Sequence, residues 1–244
     1  MYKFCLAFLL SAIPAQAQSG AQPVVKPVVA LDGFHNNESK MPDHYQWDGV
    51  RPGGFSELGK VLTGLGAQLK TVRERVTPAV LAGVKVFIIV DPDTPAETAD
   101  PQYIMPDEIA AMEQWVRGGG RLVLLGNDKG NAEFEHFNQL AKRFGIEFLE
   151  ETYPKVQGKG ILIAKGDTPI FQGAPEVYLV EVAPLKVSAD VQIVLADHGT
   201  PIMALAKAGK GEVFALGDPW IYNEYMDHKD NRAIATKLFR DLLR

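Results

Sequence analysis

Polar side chains suited to hydrogen bonding and proton transfer follow four apolar runs, which end at Leu31, Val90, Leu125 and Leu216. Carboxylates beside imidazoles can act as general acids and bases. Amides beside tryptophans can bind the hydroxyls and apolar faces of sugars. The residues predicted to bind a ligand on this basis are Asn36, Asn37, His44, Trp47, Asp48, Asp91, Asp93, Asn127, Asn131, His136, Asp218, Trp220, Asn223 and Glu224.

Four other polar residues of the same clusters could carry out a reaction, with two carboxylates as acid and base and a histidine as proton shuttle. The candidate catalytic residues are Asp128, Glu133, Glu38 and His35. No cofactor is predicted, although an oxygen cage for Ca²⁺ is an open alternative. The carboxylates that would form this cage are Asp91, Asp93, Asp128 and Glu133, which do not match the EF-hand spacing.

Several of these residues also have a purely structural interpretation. Asn131 could cap the helix that follows it, and Asp91–Thr94 could be a turn whose side chains bond their own backbone. His136 could be a partly exposed residue of a helix, and Trp47 and Trp220 could belong to the core. The density of different polar groups in the four clusters nevertheless favours a ligand site.

The apolar runs predict the elements that position these side chains. Apolar runs typical of buried strands lie at 28–31, 69–72, 85–90 and 121–125, and helical spacing lies at 54–65, 106–117 and 132–144. Successive strand–helix units predict a parallel sheet covered by helices. Because parallel strands end at one edge, we expect the polar clusters to meet there.

The C-terminal part of the chain has a different pattern. Short apolar runs separated by turns predict antiparallel strands that extend or flank the sheet, followed by a closing helix at 231–243. The short runs lie at 161–164, 177–182, 191–196, 202–207 and 213–216. No linker-like segment divides residues 28–244, which are therefore predicted to form a single α/β domain.

The N-terminus has the pattern of an export signal. Lys3 precedes an apolar segment at 4–13, and the small-residue cleavage motif ends at Ala17. The sequence thus predicts a signal peptide at 1–17, a flexible leader at 18–27, and a periplasmic or secreted protein. The only cysteine, Cys5, lies within this signal, so the mature chain would have neither a disulfide nor a thiol nucleophile.

The charge of the chain limits its partners. The formal net charge is −5, and the sequence contains no stripe of basic residues. Nucleic acid is therefore not an expected partner. No apolar run reaches the length needed to span a bilayer, so no membrane span is predicted.

Six strings of the sequence are long enough to compare with known families. They are HNNE (35–38), HYQWDG (44–49), GGF (53–55), DPDT (91–94), GNDKGNAEFEHFNQLAKRFGI (126–146) and GDPWIYNEY (217–225). Together they resemble an uncharacterised class I glutamine amidotransferase-like domain found beside or fused to unsaturated rhamnogalacturonyl and glucuronyl hydrolases. This resemblance implies a three-layer α/β/α flavodoxin-like fold whose sheet is mainly parallel, with antiparallel C-terminal strands.

The resemblance also bears on function. Asn127 or Asp128 takes the position of the amidotransferase cysteine, and Asp218 lies near that of the histidine, so glutaminase activity is excluded. The implied function is binding of an oligosaccharide, pectin-like and containing uronic acid or rhamnose, at the C-terminal edge of the sheet. One alternative is a hydrolase that uses paired carboxylates of the same site. Another is a docking module for a partner glycoside hydrolase, and the sequence leaves open whether the protein is an enzyme.

Overall fold

The computed structural model describes Met1 and residues 25–38 and 43–244 of the chain. Nearly all of the predicted signal peptide and leader lie outside the described residues, so both stay predictions, as does the single-domain boundary. In the described part, no helix combines the length and the apolar character that a membrane crossing requires.

Eleven strands and five α-helices form the described part of the chain. The strands are β1 (Val28–Asp32), β2 (Gln68–Val72), β3 (Val84–Val90), β4 (Arg121–Leu125), β5 (Ile146–Phe148), β6 (Ile161–Lys165), β7 (Glu176–Val180), β8 (Leu185–Val187), β9 (Gln192–Asp197), β10 (Thr200–Ala208) and β11 (Gly211–Leu216). The helices are α1 (Ser56–Gly64), α2 (Pro78–Leu81), α3 (Pro106–Gly118), α4 (Phe134–Ala141) and α5 (Asn231–Leu242).

Seven strands form one sheet in the order β2-β1-β3-β4-β11-β10-β9. The first five strands of this order are parallel, and β10 is antiparallel to both of its neighbours. The predicted mixed α/β fold, mainly parallel with antiparallel C-terminal strands, is therefore confirmed. The run at 213–216, listed among the expected antiparallel strands, forms β11, which lies parallel to β4 in the middle of the sheet. Two further ribbons pair β5 with β8 and β6 with β7.

Both faces of the central strands are buried, as the sequence of β3 illustrates. Val86, Ile88 and Val90 belong to an apolar cluster that includes residues of α1 and α5. Phe87 and Ile89 belong to a second cluster that includes residues of α3 and α4. A strand covered on both faces needs apolar side chains at nearly every position, which is why β3 is a continuous apolar run.

The outer edge of β7 is bonded by side chains rather than by a strand. Three backbone N–H groups of β7 donate to side-chain oxygens: Glu176 to Asp230 (2.9 Å), Tyr178 to Asn231 (2.9 Å) and Val180 to Asp218 (2.8 Å). Asn231 makes a second bond to Tyr178, because its side-chain N–H also donates to the Tyr178 carbonyl at 2.9 Å.

Candidate functional site

The loops that follow β1, β3, β4 and β11 lie at the same edge of the sheet, because these four strands are parallel neighbours. Three of the loops are joined by hydrogen bonds. The amide of Asn36 donates to the Asp91 carbonyl at 2.8 Å, and the backbone N–H of Asn37 donates to Asp93 Oδ2 at 2.7 Å. The amide of Asn127 donates to Asp91 Oδ2 at 3.2 Å. The structure thus brings Asn36, Asn37, Asp91, Asp93 and Asn127 together at this edge.

Four carboxyl groups share this edge, and we call Glu38, Asp91, Asp93 and Glu97 the acidic edge cluster. Asp91 and Asp93 are only 3% and 2% exposed, and Glu38 is 9% exposed. In the described residues, the only ion pair of the cluster joins Glu38 to His44 Nδ1 at 2.9 Å. Glu97 instead accepts from the backbone N–H and hydroxyl of Thr94, each at 2.8 Å.

Asp91 combines burial with an unusual backbone conformation. Its φ is 46°, in the left-handed region that side chains other than glycine rarely adopt. Burial raises the pKa of its carboxyl group well above the usual value, and the charges of Glu97 and Asp93 raise it further. Its Oδ1 atom is buried without a hydrogen bond of ideal geometry in the described part of the chain, and hydrogen bonding by Asn127 and by the nearby Tyr45 hydroxyl partly offsets the rise in its pKa. Residues held in strained backbone conformations of this kind are concentrated at functional sites.

The pKa of Asp93 is raised by its surroundings. Burial raises the pKa of its carboxyl group to about 7, against the opposing effect of the Asn37 N–H bond. The charges of Glu97, Glu38 and Asp32 raise this pKa further. A carboxyl group that titrates near neutrality can serve as a general acid or base.

His35 lies beneath this edge and is closed off from any ligand. Its ring is fully buried, with Nδ1 2.6 Å from Asp32 Oδ2 and Nε2 3.5 Å from Glu108 Oε1. Burial lowers the pKa of His35, but the two carboxylates outweigh this effect and raise the pKa to about 10. His35 is therefore a buried cation that joins β1 to α3, a position that does not suit the proton shuttle predicted from the sequence.

The loop after β4 is held mainly by its own side chains. Asp128 accepts from the Asn131 amide at 2.6 Å and from the Thr152 hydroxyl at 3.0 Å. Both carboxylate oxygens of Glu133 accept from the His136 backbone N–H at 3.1 Å. Glu133, not Asn131, thus caps α4, and the helix begins two residues later than predicted.

The four carboxylates of the alternative Ca²⁺ cage do not come together in the described residues. There, the only group of three side chains close enough to share an ion is Glu133, Glu135 and His136, whose ligand atoms lie within 4.8 Å of one another. His136 Nδ1 already contacts Glu133 at 3.0 Å, and its ring stacks on Tyr103. The group also lies at the N-terminus of α4, where the helix dipole disfavours a cation. Helix capping therefore explains this grouping.

The loop after β11 has a structural role. The Asp218 carboxylate accepts from the backbone N–H groups of Val180 and Trp220, and burial raises the pKa of Asp218 to about 7. Trp220 is 0% exposed, so its ring offers no face to a sugar. The amide of Asn223 donates to the carbonyls of Gly49 and Arg51, and Glu224 is exposed.

The remaining predicted residues lie near the loop between β1 and α1. Trp47 is half-buried, and its indole N–H donates to the Lys70 carbonyl at 3.0 Å, while Asp48 is exposed. His44 stacks on Tyr45 with ring centroids 3.9 Å apart. Tyr45 has a φ of 50° and contacts the ring of Tyr222 edge-on at 5.8 Å.

Sequence reasoning missed three residues of this region. Tyr45 and Glu97 lie in the polar loops already singled out, so their proximity to predicted residues was the available signal. Glu108 fits an ordinary first turn of a helix, and nothing in its spacing indicates contact with a histidine of another loop.

Comparisons with known proteins give the chain a family and a fold but no activity. A family model described as "Domain of unknown function (DUF4350)" matches residues 48–239. No curated protein matches the sequence. The predicted glutamine amidotransferase-like membership is therefore wrong, because the matching family model is a different one and the similar structures below carry other descriptions.

The fold is similar to those of several solved structures. The "mmIFT52 N-terminal domain" has a TM-score of 0.70 and 18% identity, covering 88% of this chain and 96% of that chain. "Cytoplasmic Protein STM1381" from Salmonella typhimurium LT2 has a TM-score of 0.62 and 15% identity, covering 88% and 98%. A β-galactosidase from Bacillus circulans sp. alkalophilus has a TM-score of 0.51 and 16% identity, covering 88% of this chain but 30% of that chain. At these identities the likeness shows the fold alone.

Proposed function

Because the chain belongs to the family described as Domain of unknown function (DUF4350), whose description names no activity, we propose a function from the site itself. We propose that the protein is an exported component of polysaccharide utilisation. In this proposal, it binds an oligosaccharide at the sheet edge formed by the loops after β1, β3 and β4.

The observation that carries this proposal is the acidic edge cluster. The carboxyl groups of Asp93 and Asp91 accept hydrogen bonds from Asn37 and Asn127 of neighbouring loops. None of the four carboxyl groups pairs with a lysine or arginine in the described residues. Carboxyl groups accept several hydrogen bonds each, and the partly exposed Glu97 is the member of the cluster that sugar hydroxyls would reach most readily. The exposed side chain of Asn37 and the partly exposed ring of His44 add polar groups at the rim.

The charge of the site favours some sugars over others. A uronate carboxylate would approach Glu38, Asp93 and Glu97 and would be repelled. We therefore propose that the site prefers neutral sugars, such as rhamnose, to uronic acids. The likeness to one part of a β-galactosidase concerns the fold alone, so the sugar proposal depends on the site.

We also propose the finer arrangement of the fold. Packing of α1 and α5 against one face of the sheet, and of α3 and α4 against the other, supports a three-layer flavodoxin-like arrangement. In such folds, ligands bind beyond the carboxyl ends of the strands, which is where the proposed site lies.

A second candidate function is hydrolysis of the bound sugar, and the titration of Asp93 favours it. A glycosidase needs one carboxyl group with a raised pKa, which donates a proton, beside another that stays ionised. The pKa of Asp93 is raised to about 7. Glu38 is the neighbouring carboxylate that would act as the base.

Calorimetry and product analysis on the chain from Gln18 onward test both candidates. Neutral and uronic-acid oligosaccharides are titrated, and products are followed by mass spectrometry. We expect binding of a neutral oligosaccharide that Asp93→Asn and Glu38→Gln each weaken about 10-fold, through loss of charged hydrogen bonds. Glu74→Gln is the matched control, because Glu74 is exposed and has no ion pair in the described part of the chain.

The outcomes separate the candidates. Products that disappear in Asp93→Asn would establish the hydrolase. Binding without products would support the binding protein and exclude hydrolysis of the sugars tested. If no oligosaccharide binds, or if Glu74→Gln weakens binding as much as the site variants do, the proposed site is wrong.

A further inference from the structure

His44 lines a small cavity beside the acidic edge cluster. The cavity has a volume of about 210 Å³ and is lined by Asp43, His44 and residues 51–54. Arg51 pairs with Asp43, so these two residues add no net charge to the wall of the cavity. Sites for drug-sized ligands have volumes of about 300–1,000 Å³, so this smaller cavity suits a single sugar ring.

Three contacts hold the imidazole of His44 in one orientation. Its Nδ1 atom lies 2.9 Å from Glu38 Oε2. Its ring stacks on Tyr45, with centroids 3.9 Å apart and planes inclined by 20°. Gly53 lies so close that a Cβ atom there would come within 2.3 Å of His44 Cδ2. Because the ring is already fixed, little side-chain entropy remains to be lost when a ligand binds to it.

The glycine at position 53 is needed by this ring rather than by the backbone. Gly53 does not adopt a positive φ, so its backbone conformation is open to other residues. A methyl group at this position would instead overlap the imidazole of His44. The wall of the cavity therefore depends on the position of the His44 ring.

The contact with Glu38 decides which nitrogen of a neutral His44 carries the hydrogen. An ionised carboxylate only accepts hydrogen bonds, so Nδ1 must be the donor. Nε2 is then an acceptor, and the bond to Glu38 is the one side-chain hydrogen bond of His44 within the described ranges. The His44 side chain is 20% exposed, whereas Asp91 and Asp93 are almost completely buried. A ligand therefore reaches His44 more readily than either aspartate.

We infer that His44 Nε2 accepts a hydrogen bond from a hydroxyl group of a single neutral sugar ring in this cavity, with Glu38 as its positioning residue. This inference rests on the proposed sugar-binding function, and it names the residue that contacts the sugar. Hydroxyl groups are the donors of a neutral sugar, and a nitrogen acceptor of fixed direction matches one of them.

NMR of the chain from Gln18 onward, with isotope-labelled histidines, observes the hydrogen bonding of each ring nitrogen directly. The probe is L-rhamnose, a neutral sugar of one ring, titrated at about pH 8, where imidazoles of ordinary pKa are neutral. We expect the Nε2 resonance of His44 to move as rhamnose is added, with the dissociation constant that calorimetry measures on the same sample.

His136 is the internal control of this experiment. It makes the same kind of pair, because its Nδ1 atom lies 3.0 Å from Glu133 and its side chain is 26% exposed. Its ring also stacks on a tyrosine, Tyr103, but it does not line the cavity beside Gly53. Its resonances should therefore stay unchanged when rhamnose is added.

Two substitutions of His44 separate contact with the sugar from a purely structural role. His44→Asn keeps an amide nitrogen that can donate to Glu38 and removes the acceptor at the position of Nε2. His44→Gln places an amide near the position of Nε2 and loses the bond to Glu38. We expect His44→Asn to weaken rhamnose binding at least about 10-fold with little effect on urea denaturation, and His44→Gln to keep more of the binding. His228→Asn is the matched control, because His228 is exposed and lies outside the cavity.

Failure of the inference is distinguishable from failure of the proposed function. If rhamnose binds while His44 Nε2 stays unchanged, or moves no more than the His136 ring nitrogens, the inference is wrong and sugar binding stands. The same conclusion follows if His44→Asn weakens binding no more than His228→Asn does, or if only longer neutral oligosaccharides bind and leave His44 unchanged. If no neutral sugar binds, both are wrong.

Discussion

Replacing Asp93 by asparagine should stabilise the folded protein at neutral and alkaline pH. The pKa of Asp93 rises from 3.8 to about 7 on folding, so the folded state holds this proton more tightly than the unfolded state does. The free energy of unfolding therefore falls as the pH rises from about 4 to about 7, and the full cost is present above pH 7. An asparagine side chain at this position would be neutral at every pH and would carry no such cost.

The size of the effect follows from the same pKa values. A rise from 3.8 to about 7 corresponds to about 4 kcal/mol. Part of this gain is lost, because the Asn37 N–H now donates to a neutral amide oxygen rather than to a carboxylate. We expect Asp93→Asn to raise the free energy of unfolding by about 1–3 kcal/mol above pH 7 and to change it little below about pH 4.

Urea denaturation of both proteins at several pH values measures this difference. Asp218→Asn is the matched control, because the pKa of Asp218 is also raised to about 7 by burial. Both Asp218 oxygens accept backbone N–H groups, of Val180 and Trp220, so an amide leaves one N–H unpaired and should destabilise the fold. A destabilised Asp93→Asn variant at pH 8, or a difference from wild type independent of pH, would refute the reasoning.

Two further substitutions test the supports of the site. His35→Gln removes the cation between Asp32 and Glu108 and should cost about 3–5 kcal/mol at neutral pH in urea denaturation. Because the pKa of His35 is raised to about 10, its contribution to the free energy of unfolding is complete below about pH 6.5 and is lost as the pH rises through 10. If the variant lost stability at alkaline pH as wild type does, this reasoning would be contradicted. Asn223→Ala removes bonds to Gly49 and Arg51 and should cost about 2–3 kcal/mol, with faster hydrogen exchange confined to residues 49–57; unchanged exchange there would contradict it.

The positions of the strands were predictable because burial constrains composition. The run from Lys85 to Val90 is apolar at nearly every position, as a strand covered on both faces must be. Once the strands ending at Leu31, Val90 and Leu125 are taken as parallel, their following loops must meet at one edge. The gathering of Asn36, Asp91, Asp93 and Asn127 therefore follows from the sequence without knowledge of any contact.

Which of the polar and aromatic residues near the site have purely structural roles was not predictable from the sequence. Asn223 bonds the carbonyl of Gly49, 174 residues away in the chain, and no local spacing identifies such a partner. Trp220 lies in a cluster of polar residues, yet its left-handed backbone directs the ring into the core. Glu133 and Asn131 both suit a helix start, and only the geometry of the turn decides which one caps α4.

The side chains that bond the outer edge of β7 have a consequence for the behaviour of the protein in concentrated solution. An unpaired strand edge is a template onto which a strand of another molecule can add. The Asn231 amide imitates such a strand, because it both accepts from and donates to the backbone of Tyr178. An incoming strand would have to displace a side chain that is itself 0% exposed and would lose its partners. Asn231, Asp230 and Asp218 thus block the edge of β7 against the addition of a strand from another molecule.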